Sequence, residues 1–124
     1  MFTALMSMAL LLQASPLAPV TAPAPTPASA LSLEQQTALR CSAAFSIVAA
    51  RQRAGDAKAG AYPPLATRGR EFFVRSSAQL IDQTGLSREA IAQKLRAEAI
   101  LLNQADRLDS AMPGCLLLLE TSGL

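Results

Sequence analysis

The chain has 124 residues, 51% of them hydrophobic and 4% aromatic, and carries a formal net charge of +2 at neutral pH. That length leaves room for one hydrophobic core, the alanine- and leucine-rich composition favours helix over sheet, and so mild a charge gives no reason to expect nucleic acid as a partner. There is no histidine, which removes the commonest general base at neutral pH, the usual serine and cysteine triads and most zinc sites.

Residues 1–14 read as a signal peptide. Phe2 to Leu12 are apolar and uncharged, and small residues follow around Ala14. The run is too short to span a bilayer, which needs about 20 residues. The first charged residue is Glu34, so the amino terminus alone supplies the positive end. Cleavage is expected after Ala14. No cysteine follows closely enough for a lipid anchor, so the expectation is a periplasmic or secreted protein with no stable membrane span after processing. Residues 15–31 carry Pro16, Pro19, Pro23, Pro25 and Pro27 among Ala, Thr and Ser, the composition of a semi-extended linker.

Residues 32–124 read as one helical domain. Ser32 and Gln35 have the spacing of a capping box, and Gly55 is the expected stop of the helix they begin. Ala38, Cys41, Phe45 and Val48 recur on one face of it, with Ala44 and Ala49 beside them, small enough for a neighbour to come close. After a loop through Gly60, Tyr62-Pro63-Pro64 sets an extended lead into a second helix over Leu65–Thr84, stopped by Gly85. Its inner face is Leu65, Gly69, Phe72, Phe73, Ser76 and Leu80. Gly69 costs about 1 kcal/mol relative to alanine inside a helix, which suggests a close helix crossing there. Ser87 caps a third helix, with Ile91, Leu95, Ala99 and Leu102 inward and Glu89, Gln93, Arg96, Asn103 and Arg107 outward. Pro113-Gly114 is expected to break the chain before a short last helix, Cys115 to Glu120. Its leucines Leu116 to Leu119 wrap too far around one turn to face a single partner, and either complete the core or form an apolar patch. The fold expected is therefore all-α: a small bundle of three long helices and a short C-terminal one.

Cys41 and Cys115 are the only cysteines, and in an exported chain they are expected to form a disulfide between the first helix and the C-terminal segment. A reactive thiol pair would call for Cys-x-x-Cys spacing, which is absent. No serine precedes Lys58 or Lys94 by three residues, and Gly55 and Gly60, though spaced like phosphate-loop glycines, lack the following Lys-Ser or Lys-Thr. Asp106 and Asp109 stand one turn apart, close enough to share a cation but in a position typical of solvated surface. The same holds for the ion-pair spacing of Glu71 and Arg75. The basic group to watch is Arg68, Arg70 and Arg75 around Glu71. Arg68 and Arg75 lie two turns apart on one face, a candidate contact for an anion or for partner carboxylates, against the plain reading of a solvated surface.

The stretch Leu80 to Arg96 resembles the helix-turn-helix of DNA-binding regulators. Gly85 falls at the turn, Ile91 at the buried position of the recognition helix, and Arg88 and Lys94 would face phosphates or bases. Ile81 stands where that family prefers a small residue. Leu39-Arg40-Cys41, Tyr62-Pro63-Pro64-Leu65 and Pro113-Gly114-Cys115 give residues 32–124 a pattern that resembles short exported proteins of alphaproteobacteria, which implies no particular activity. In size, helicity and single disulfide the domain is also similar to the acid-stress chaperones of the bacterial periplasm, by architecture and not by motif. The function expected is that of a non-catalytic envelope protein, binding or stress-related, with no cofactor or metal, which meets protein clients or lipid through an apolar surface. A DNA-binding regulator is the alternative if the chain is not exported.

Overall fold

A computed structural model describes residues 30–124. The expected signal peptide, 1–14, and nearly all of the linker lie outside the described residues. The described part is all-α: α1 (Leu33–Arg53), α2 (Ala57–Gly60), α3 (Arg68–Thr84), α4 (Arg88–Leu102) and α5 (Arg107–Thr121).

The longest helix, α1, is the hub, packed against each of the other four. It starts at the capping box read from the sequence: the Gln35 N–H donates to Ser32 Oγ at 3.1 Å, and the Ser32 N–H donates to Gln35 Oε1 at 2.9 Å. Leu39, Cys41, Phe45 and Val48 are all buried along it, whereas Ala38 is half-buried. Ser42, Ala43 and Ala44 are buried too, because partners cover α1 from several sides.

The connection from Gly55 to Thr67 contains a short helix where the sequence predicts only loop. Asp56 caps α2 by accepting from the Ala59 N–H at 3.0 Å. Gln52, near the end of α1, then pins the path of the chain from α2 to α3. The two hydrogens of its Nε2 are shared among the carbonyls of Ala59, Tyr62 and Pro63, at 3.0, 3.2 and 2.9 Å, while its Oε1 accepts from the Leu65 N–H at 3.1 Å. That last bond anchors Leu65 ahead of the helix, and α3 begins at Arg68, three residues later than expected.

On α3, Gly69 is buried, and a Cβ placed there would lie 3.0 Å from the Phe45 Cβ. The missing side chain lets α3 cross α1 closely, and the rings of Phe45 and Phe72 then meet edge to face at 5.2 Å between centroids. Gly85 ends α3 in the left-handed conformation, φ 70°, with its N–H donating to the Ile81 carbonyl. Ser87 caps α4 by accepting from the Ala90 N–H at 3.1 Å.

The break expected at Pro113-Gly114 does not occur: both residues lie inside α5, which starts at Arg107 instead of Cys115. Leu108, Met112, Cys115 and Leu119 form its buried stripe, whereas Pro113 and Gly114 face solvent. A proline inside a helix costs about 3 kcal/mol, and burial of that stripe together with the cross-link through Cys115 offsets it. The leucine run divides. Leu119 is fully buried, Leu116 and Leu118 are half-buried, and Leu117 is 66% exposed.

The core has two parts. The larger joins Phe45, Val48, Leu65, Phe72, Leu102, Met112 and Leu119 around the disulfide. The smaller consists of Leu39, Leu80 and Ile91, with Leu31, Ile81, Leu86 and Leu95 packed at its edge.

Candidate functional site

Cys41 and Cys115 form the expected disulfide, with Cα atoms 5.1 Å apart, tying α1 to α5 inside the larger core. The three arginines singled out in the sequence separate by task. Arg68 Nε and Nη2 donate to the backbone oxygen of Leu124 at 2.9 and 2.7 Å, and Nη2 also meets Glu120 at 3.0 Å. Arg75 Nη1 donates to the Ser122 carbonyl at 3.0 Å. Two of the three thus hold the chain that follows α5, and the carboxylate that Arg68 meets is the protein's own. Arg70 is exposed and forms no ion pair within 4 Å among the described residues. Glu71 does not pair with Arg75.

Asp109 is engaged by two donors, one on α2 and one in the loop that follows it. It accepts from the Tyr62 hydroxyl at 2.6 Å and from Lys58 Nζ at 3.2 Å, closing the loop after α2 onto α5. The hydrogen bond to Asp109 pushes the Tyr62 phenol up to about 12, with burial and the carboxylate's charge adding to the effect. The same bond, followed by the one from Lys58, holds Asp109 below the ordinary carboxylate range. Arg51 and Asn103, themselves bonded at 2.9 Å, complete the wall of a polar hollow of about 80 Å³. Every strong donor and acceptor in this corner already faces another, an arrangement suited to holding the loop in place. Among the described residues, no group of three or more His, Cys, Asp or Glu side chains is placed to hold a metal ion.

A largely apolar furrow of about 430 Å³ lies between α3 and α4. Phe73, Val74, Ser77, Ala78 and Ile81 line one wall, at i, i+1, i+4, i+5 and i+8 along α3. Ile91, Ala92 and Leu95 line the other, with Arg88 at the end nearest the Gly85 turn. The furrow exists because α3 carries a second stripe next to its core stripe. Gly69, Phe72, Ser76 and Leu80 point into the bundle, whereas Phe73 and Ile81 are only half-buried and Val74 is 59% exposed. Phe73 also lines a second hollow, of about 230 Å³, beside Arg53 and Arg70, and Val74 borders a wider one, of about 640 Å³, with Arg70, Glu71 and Arg75. Phe73 and Val74 thus link the three hollows, whose charged lining residues are Arg53, Arg70, Glu71, Arg75 and Arg88.

The sequence pattern assigns Phe73 to the inner face and does not point to the furrow. The signal that could have found it is the recurrence of apolar or small residues at 73, 74, 77, 78 and 81, in addition to the core stripe. The segment that resembles a helix-turn-helix supplies this same hairpin, with Ile91 buried against Leu39 and Leu80 and Arg88 exposed. Comparison with known protein families, characterised proteins and solved structures gives no match to this chain.

Proposed function

We propose that this protein is a non-catalytic binding domain of the cell envelope, exported and oxidised, whose ligand is held on the outward face of α3 and α4. The observation that carries the reading is the apolar furrow between them, which no described residue covers although the core beneath it is closed. Its size falls in the range of small-molecule sites, a few hundred Å³ and mostly apolar with few polar groups. The disulfide is compatible with an oxidising compartment, and no described helix is long and apolar enough to cross a membrane. The polar corner around Asp109, occupied by its own bonds, suits a support better than a reaction centre.

Export is tested by the intact mass of the protein recovered without reductant from the envelope fraction of its own cells. The expected species begins near Ser15 and is lighter than the dithiol by two hydrogen atoms. An unprocessed dithiol found only in the cytosol would overturn export and return the regulator to first place. Binding is tested with an apolar fluorescent dye. The oxidised protein is expected to bind it, and substitution Val74→Glu to remove most of the signal.

A further inference from the structure

We infer that the furrow takes a single-chain anionic amphiphile, a fatty acid whose carboxylate meets Arg88 and whose acyl chain runs between Ile81 and Ile91 toward Phe73 and Leu95. This rests on the binding reading above and names the ligand class for the same site.

Three observations argue for this occupant. The furrow has an apolar length and one charged end. From Ile81 to Phe73 it follows α3 for roughly 12 Å at the helical rise, and among the described residues Arg88 is the only charged one that lines it. That cation is also uncommitted: among the described residues Arg88 is exposed and forms neither an ion pair nor a side-chain hydrogen bond, unlike Arg40, Arg51, Arg68 and Arg75, each of which is bonded within the fold. A guanidinium presents a planar fork of donors that matches a carboxylate. Finally, no carboxylate lines the furrow, and past Phe73 the adjoining hollow is bordered by Arg53 and Arg70, again with no acid. A cationic amphiphile would find no counter-charge, and a neutral one would leave Arg88 unused. A trough of this volume suits a single acyl chain better than a bilayer surface, which would need an apolar ridge.

The test is direct binding of dodecanoate and of dodecanol, both below the concentration at which they aggregate, to the oxidised full chain. The wild type is compared with Arg88→Gln and Val74→Glu. Both residues are exposed, and the helical circular dichroism of each variant is expected to match that of the wild type. Dodecanoate is expected to bind one to one, about tenfold more tightly than dodecanol, as the loss of a charge-assisted hydrogen bond implies. Arg88→Gln is expected to remove that difference by weakening dodecanoate alone, and Val74→Glu to weaken both. Equal affinities with no effect of Arg88→Gln would overturn the assignment of an anionic ligand and leave an apolar-binding domain standing. Binding of neither compound, with apolar dye still bound at Val74, would overturn the acyl-chain assignment. Loss of dye binding as well would take the binding reading with it. An acidic amphipathic peptide that saturates the furrow and that dodecanoate does not displace would overturn the fatty acid in favour of a helical partner.

Discussion

The two parts of the core are built on different terms. At the α2–α5 side, Phe45, Leu65, Phe72, Met112 and Leu119 are buried around a disulfide, and the Gln52 and Asp109 bonds clamp the neighbouring loop. Where the α3–α4 hairpin meets the first turns of α1, three residues are buried, Leu39, Leu80 and Ile91, and Ile81, Ile91 and Leu95 are shared with the furrow. The first part is held by several independent interactions, so that no single loss releases it. The second depends on a few side chains, and on the binding reading proposed above it is the part that would adjust around a ligand, since binding elements are drawn from the less stable regions of a fold.

The largest expected effect comes from the cross-link. Replacing Cys41 and Cys115 together with alanine should cost about 4 kcal/mol on the chain-entropy model, given a sequence separation of 74. The measurement is the shift in denaturant midpoint between the oxidised wild type and the double variant. A loss below about 1 kcal/mol would mean that packing alone holds α5.

Cavities compare the two parts directly. Met112→Ala, at a fully buried site beside the disulfide, should cost about 3 kcal/mol, whereas Leu80→Ala, next to the open furrow where the surroundings can collapse, should lie nearer to about 2 kcal/mol. Equilibrium urea unfolding ranks them, and the reverse order would break the comparison. Gly69→Ala is smaller still. Its new methyl would meet the Phe45 Cβ, fixed on a buried helix, so overpacking of about 1–3 kcal/mol competes with about 1 kcal/mol of helix propensity, for a net loss of about 1 kcal/mol. A gain in stability would show that α1 and α3 have room to separate.

The smallest effect is the most specific, because Tyr62 is the only tyrosine. Its absorbance titration should centre near pH 12 and fall back toward 10 in Asp109→Asn. The phenol keeps its proton longer in the folded state, so its contribution to stability is present below pH 10 and fades as pH rises toward 12. The lowered Asp109 works in the opposite direction: its contribution holds above the ordinary carboxylate range and fades on acidification through the lowered value. An unshifted phenol would mean that the loop is not tied to α5.

Local signals are legible in the sequence. The Ser32 box, the Gly85 stop, the Ser87 cap and the crossing at Gly69 each depend on residues a few positions apart or on one small side chain, and the cysteine pair has no rival. Pro113 misleads because the rule against proline in helices is local, whereas α5 is held together by its buried stripe and a partner 74 residues away in sequence. The Tyr62–Asp109 bond spans 47 residues and leaves no pattern in the chain. Arg68 and Arg75 do share one face, as their spacing predicts, but the carbonyls they meet are set by the way the segment after α5 returns to α3.

The disulfide also makes a covalent ring of the domain. Everything from Cys41 to Cys115 lies within it, including α2, α3, α4 and both walls of the furrow. A protease that nicks the exposed turn at Asn103–Asp106, or the segment around Pro63 and Pro64, opens the ring but frees no fragment, because the two pieces remain joined through sulfur. Releasing α5, or the α3–α4 hairpin that carries both walls of the furrow, from α1 would therefore take a cut combined with reduction.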